Sequence, residues 1–253
     1  MIPGSFRTYE GEVLQITLGT PKGGAGKTTA LLSLANAAKL RHPGCRVALI
    51  DTDEEVGSLR AFIARRGKER DADRSIRLWS VGARDGIDRL VDALARANDW
   101  ADYIFVDVHG GISAFNAAIV EASAFTLFPT RIGLTDFEPA AKLFCAYEDR
   151  AERLGRTFGG SLLFTFAPNA RFLSTTEKKI LAGMRAIGIP FLNTIVQTRT
   201  VYKDAQDQGL FLREMPTSAG LVAATDESIG MFDEIMAVLG APNPRAEAEG
   251  ALR

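Results

Sequence analysis

Ten residues, Thr20-Pro-Lys-Gly-Gly-Ala-Gly-Lys-Thr-Thr29, are the part of this chain best suited to chemistry. Glycines at 23, 24 and 26 let the backbone wrap an anion with successive N–H groups turned inward. A helical pattern follows directly, so its positive N-terminal end faces the same anion. Lys27 supplies a charge for the β- and γ-phosphates of a nucleotide, and Thr28 places a hydroxyl where Mg²⁺ would sit. The spacing predicts a nucleotide site built from Gly23, Gly24, Ala25, Gly26, Lys27, Thr28 and Thr29. A glycine-rich turn with a chance Lys-Thr is the bland alternative, and the strand before and helix after weigh against it.

Three carboxylates fall at the ends of apolar runs, where burial alone does not favour them. Asp51 and Asp53 close Ala48-Leu-Ile-Asp-Thr-Asp-Glu54, and Asp107 closes Tyr103-Ile-Phe-Val-Asp107. Ligands of open α/β sheets bind at the carboxyl ends of strands. Asp51 is therefore placed near the metal, and Asp107 is placed to hold Mg²⁺ through water. For Asp53 a second use stays open, as the N-cap of a helix around Ser58–Arg65.

Positioning these groups requires the elements between them. Short apolar, β-branched runs alternate with longer amphipathic stretches, the pattern of a parallel sheet covered by helices on both faces. Predicted strands are Val13–Leu18, Val47–Asp51, Ile76–Val81, Tyr103–Val108, Phe125–Pro129, Ser161–Phe166 and Phe191–Val196. Predicted helices are Thr28–Arg41, Asp85–Asn98, Ala114–Ala122, Asp136–Leu154, Thr175–Ile187 and Ser218–Leu239. Arg65–Arg74, a run of mixed charge, reads as solvated, and Ala241–Arg253 as a disordered tail. Neither divides the chain, so the expected fold is one α/β P-loop NTPase domain over 1–240, a mostly parallel doubly wound sheet.

The phosphate loop departs from the general motif in one respect. Pro21 stands where the first glycine would be, and Lys22 precedes the glycine pair. The resulting K-G-G-x-G-K-[ST]-T is the deviant Walker A pattern, and the chain resembles the ParA/MinD family of dimeric ATPases. The resemblance implies that Lys22 reaches the phosphates bound by a second copy, making an ATP-dependent homodimer. It also implies that Asp53 orients the attacking water, so that Lys22, Lys27 and Asp53 carry catalysis. After Asp107 most relatives read Asp-x-Pro-Pro, whereas this chain reads Val108-His-Gly-Gly111. In that turn, in Asp51-Thr-Asp-Glu54, in Phe128-Pro-Thr130 and in Leu134-Thr-Asp-Phe-Glu138, it looks like the virulence C ATPases of T-DNA transfer systems. His109 either senses the γ-phosphate or shapes the loop. By the same resemblance Asn169 and Pro216 are placed against the base, although Pro-Asn and Pro-Thr-Ser more often make turns. Family members bind DNA through basic residues of the C-terminal half. Here Arg171, Lys178, Lys179, Arg185, Arg199, Lys203 and Arg213 are available, with a solvated helix face as the alternative.

With 30 Lys and Arg against 31 Asp and Glu, the net charge of −1 excludes a wholly basic binder. Cys45 and Cys145 lie a hundred residues apart with no metal-type neighbours, so neither a disulfide framework nor a Cys-rich metal site is indicated, and neither cysteine falls near the strands where an Fe–S cluster would need paired ligands. No apolar run approaches a membrane span, and the N-terminal residues lack a signal-peptide layout, so the expectation is a cytoplasmic protein, on the nucleoid when bound to ATP. The expected function is an ATPase switch using ATP and Mg²⁺, dimeric and DNA-binding in the ATP state, that hydrolyses slowly with a ParB-like, relaxase-like or cargo adaptor partner. Segregation of DNA or plasmids and recruitment of a DNA-transfer complex are its leading roles. Positioning of a protein cargo shares the mechanism. Membrane cycling of the MinD kind would need an amphipathic C-terminal helix that Ala241–Arg253, with one Leu and no aromatic residue, does not offer.

Overall fold

The computed structural model describes residues 13–21, 23–53, 57–70, 74–168 and 173–240. Its strands are β1 (Leu14–Thr20), β2 (Val47–Asp51), β3 (Ile76–Ser80), β4 (Tyr103–His109), β5 (Phe125–Thr130), β6 (Gly160–Ala167) and β7 (Val196–Gln197). They form one parallel sheet in the order β3-β2-β4-β1-β5-β6-β7. The chain leaves β1 past β4 to build one half, then returns from β4 to the far side of β1 to build the other. The reversal opens a crevice at the carboxyl end of β1, the usual ligand position in such sheets.

Helices α1 (Lys27–Arg41), α2 (Ser58–Arg70), α7 (Thr200–Gln208) and α8 (Ala219–Val238) cover one face. Helices α3 (Ile87–Trp100), α4 (Ala114–Glu121), α5 (Leu134–Arg153) and α6 (Thr175–Ala186) cover the other. The two-residue period of the strands divides the core accordingly: Leu49 and Phe105 face α1 and α8, while Ile50 and Val106 face α3 and α4. Helix α1 is buried from Thr29 to Lys39, so the element that presents the phosphate loop is the most enclosed helix of its layer. Arg41 at its end donates through Nε to Asp233 of α8 at 2.9 Å.

Most predicted elements recur, with β2 as expected, β3 one residue shorter, and β1, β4, β5 and β6 one or two residues longer at their carboxyl ends. The ladder continues through polar residues there, as in the pairing of Thr20 with His109. The predicted strand Phe191–Val196 is the main exception. Leu162 N–H donates to Pro190 O at 2.9 Å and Leu192 N–H to Leu162 O at 3.0 Å. The next two amides, of Asn193 and Thr194, then turn to the carboxylate of Glu234 on α8, at 2.6 and 2.7 Å. Sheet pairing resumes only at Val196.

The charge run Arg65–Arg74, expected to be solvated, is corrected at Arg66, while Arg65, Gly67 and Arg74 are exposed. Helix α2 extends into the run with a kink at Gly67, whose φ is 66°, and Arg66 is buried, donating to Glu214 at 2.6 and 2.8 Å. Helix α7 was not anticipated. Its apolar face of Val201, Tyr202 and Ala205 is short, and it ends at Gly209, whose φ of 64° and close approach to the backbone of α2 both require glycine.

Candidate nucleotide site

The carboxyl ends of β1, β2 and β4 and the loop before α1 enclose a cavity of about 560 Å³. Gly23, Gly24, Gly26, Lys27, Thr28 and Thr29 line it together with Asp51, Asp53 and Asp107. Gly24 and Gly26 adopt φ values of 77° and 81°, the left-handed backbone that lets a short loop curl around an anion. Gly26 has a second constraint. A Cβ there would meet the ring of Phe166 at 2.9 Å and Thr165 at 3.1 Å. Thr165 Oγ1 lies 2.7 Å from Ala25 O, so the end of β6 supports the loop from behind. Ala25 itself is buried and does not line the cavity.

Lys27 Nζ lies 2.6 Å from Asp107 Oδ1 and donates to Val108 O at 2.7 Å. Thr28 Oγ1 donates to Asp107 Oδ2 at 3.1 Å. Asp107 is held from the adjacent strand end, because the amide and hydroxyl of Thr52 donate to its carbonyl at 3.1 and 2.9 Å. Asp51 pairs in register with Asp107 across β2 and β4. Burial pushes the Asp51 carboxyl above its ordinary range. The amide of Asp53 opposes that shift, the charge of Asp107 adds to it, and Arg60 opposes it again.

Asp53 lines the cavity, its amide donating to Asp51 Oδ1 at 3.0 Å and its carbonyl accepting from the Arg60 guanidinium. Asp51 also receives an amide from the first turn of α2, from Arg60 N at 3.3 Å.

Hard oxygen donors gathered this way suit Mg²⁺, which takes one or two protein oxygens and completes its shell with phosphates and water. Thr28 and Asp107 are the pair that fits, with Asp51 beside them. Among the described residues no cluster of three or more His, Cys, Asp or Glu could hold a metal without such help.

A sequence model of the VirC1 protein family matches residues 13–220. The chain belongs to the VirC1 family. It is 28% identical over 196 residues to the virC1 protein of Rhizobium rhizogenes, covering 75% of this chain and 78% of that one. Among solved structures, the ATP complex of Cyanothece McdA(D38A) superposes with a TM-score of 0.63 at 17% identity, over 93% of this chain and 98% of that one. A ParA family ATPase from Chlorobium tepidum gives 0.60 at 18% identity, over 85% and 98%. The fold of this VirC1-family chain is that of the ParA/MinD ATPases.

Other expected site residues of the VirC1-family chain are more scattered. Lys22, Asn169 and Arg171 lie outside the described residues, as does Ala241–Arg253. His109 ends β4 with its backbone paired to Thr20. Pro216 is exposed in the loop before α8 and does not line the cavity. Lys178, Lys179 and Arg185 are exposed on α6, and Lys203 on α7. These helices cover opposite faces of the sheet, so the four side chains share no single helix layer. Arg199 is committed to Glu227, at 3.0 Å from Nε and 2.7 Å from Nη2. Arg213 is half-buried over the ring of Phe211 at 5.6 Å.

Lining residues that escaped the sequence reading include Arg131, Phe166 and Gln206. Gln206 of α7 donates to Thr29 Oγ1 at 2.8 Å. They come from three separate elements and share no motif, so only the fold brings them to the loop.

No helix among the described residues is long and apolar enough to cross a membrane.

Proposed function

We propose that this VirC1-family chain is a ParA-like ATPase switch. It binds ATP with Mg²⁺, pairs with a second copy in that state, holds DNA non-specifically as a pair, and resets by slow hydrolysis stimulated by a partner protein. The observation that carries the reading is the convergence of Lys27, Thr28, Asp51, Asp53 and Asp107 on one phosphate-sized loop. The ATP complex of the similarly folded McdA supports the choice of nucleotide.

In this reading the loop amides and Lys27 bind the phosphates, while Thr28 and Asp107 hold Mg²⁺, which neutralises charge developing on them. Asp53 positions the attacking water, and Lys22 acts on the phosphates of the second copy. Binding of ATP requires Lys27 to exchange Asp107 for phosphate. DNA contacts fall to the exposed Lys178, Lys179, Arg185 and Lys203, with Arg171 beside them in sequence. These side chains lie on helices of opposite faces of the sheet, so in this reading the basic surface is assembled from both faces and doubles on pairing. The role we assign is segregation of a DNA element or recruitment of a DNA-transfer complex.

Light scattering and DNA retention, with and without a slowly hydrolysed ATP analogue, test the switch. We expect a dimer and DNA binding only with the analogue and Mg²⁺, the DNA binding falling steeply with salt through counterion release. A protein that stays monomeric with the analogue, or binds DNA equally without it, would refute this function.

A further inference from the structure

The cavity contains a cation that the phosphate-loop motif does not supply. Arg131 stands in the turn between β5 and α5 and reaches the loop from the side opposite the Asp107 strand. Its Nη2 donates to Gly24 O at 2.8 Å, and its guanidinium carbon lies 5.4 Å from the ring centroid of Phe166. Phe166 is itself fixed. It holds a φ of 50°, rare for a bulky side chain, where the ladder between β6 and β7 shifts register, and its ring edge abuts Gly26. The guanidinium is therefore braced between a carbonyl of the phosphate loop and an aromatic face at the cavity wall.

Neither brace neutralises it. A carbonyl oxygen takes one of the five guanidinium N–H donors, and a ring face offers only its quadrupole. Among the described residues Arg131 forms no ion pair with a carboxylate, whereas Lys27, the other cation lining the cavity, lies 2.6 Å from Asp107. Arg131 is thus a lining cation that no carboxylate among the described residues holds in an ion pair. A planar guanidinium with free donors is the side chain best matched to phosphate oxygens. Its attachment to Gly24 puts it at the first half of the loop, three residues before α1 starts at Lys27.

We infer that Arg131 is a phosphate ligand of this chain that recognises the terminal phosphate of a nucleoside triphosphate, and so separates the triphosphate from the diphosphate state. The inference rests on the nucleotide-binding reading above. Arg131 keeps its hold on Phe166 and exchanges the neutral Gly24 carbonyl for a charged oxygen.

Calorimetric titration of the full chain with a slowly hydrolysed ATP analogue and with ADP, both with Mg²⁺, tests it in wild type, Arg131→Gln and Arg131→Ala. Thermal melts without nucleotide establish that the variants fold. Glutamine keeps an N–H donor on a shorter side chain but carries no charge. We expect both variants to lose about tenfold or more in affinity for the analogue, with ADP affinity nearly unchanged. Wild-type behaviour of Arg131→Gln would make the residue a loop support, and an equal loss of both nucleotides would make it a general phosphate contact; either overturns the inference. Wild type that binds neither nucleotide would instead refute the nucleotide-binding reading itself.

Discussion

Lys27 of the phosphate loop and Asp107 at the end of β4 form an ion pair at 2.6 Å, both side chains largely buried. Two groups with separate tasks in the proposed chemistry, one for phosphate and one for Mg²⁺, satisfy each other in this arrangement. Nucleotide and metal must then be taken up together, since removing either partner from the pair leaves the other charge without compensation. We expect Asp107→Asn to bind an ATP analogue equally well with Mg²⁺ and with EDTA, while wild type gains about tenfold or more from Mg²⁺. Calorimetry in the two buffers checks this, and a persistent Mg²⁺ gain in Asp107→Asn would remove Asp107 from the metal site.

Gly26 is constrained twice, by its φ of 81° and by the Phe166 ring behind it. Gly26→Ala should therefore cost about 1–3 kcal/mol in thermal or denaturant unfolding and abolish measurable nucleotide binding. Gly23 has open space around its missing Cβ and no positive φ. Gly23→Ala should leave unfolding within about 0.5 kcal/mol of wild type, and similar unfolding losses in the two variants would contradict the role given to the Phe166 contact.

Asp53 lines the cavity without contributing to the Lys27–Asp107 pair. With Asp53→Ala, analogue binding should stay within about threefold of wild type while phosphate release falls by about a hundredfold, as loss of a water-positioning group in phosphoryl transfer implies. Steady-state phosphate release beside equilibrium binding gives both quantities. Unchanged turnover would take hydrolysis away from this residue.

Arg66 and Glu214 tie α2 to the segment before α8. Burial works against the Glu214 charge, but hydrogen bonds from Arg66 and the Phe211 amide, with the charges of Arg66 and Arg213, hold its carboxyl below the ordinary range. A depressed carboxyl contributes stability above its unfolded pKa of about 4.3, and that contribution is lost as pH falls through the lower folded value. Arg66→Ala should cost about 3–5 kcal/mol near neutral pH, with the gap to wild type narrowing below about pH 4. Urea unfolding across this range measures it. The Arg66 guanidinium also lies over the Phe211 ring, 4.9 Å from its centroid, and a gap that stays constant on acidification would mean that this packing, not the ion pair, carries the loss.

The phosphate loop, its flanking strand and helix, and the strand-end carboxylates were legible in the sequence because each is a local pattern: glycines at fixed spacing, a buried run, a charge where the run stops. Arg131, Phe166 and Gln206 were not, since their place at the loop depends on β5, β6 and α7 meeting there. Arg199 shows the opposite limit. It reads as an available cation, yet Glu227 lies on α8, 28 residues away, and no local signal announces that pairing. Phe191–Val196 has the composition of a strand, but Glu234 offers its amides a charged acceptor that competes with the sheet.

The central claim is that Lys27 leaves Asp107 to bind the phosphates of a Mg²⁺-bound triphosphate. Calorimetric titration of wild type and Lys27→Ala with a slowly hydrolysed ATP analogue and Mg²⁺ tests it most directly. Saturable binding by wild type that Lys27→Ala loses by a hundredfold or so is the predicted result. Wild type that shows no saturable binding, or Lys27→Ala that binds as tightly as wild type, would contradict it.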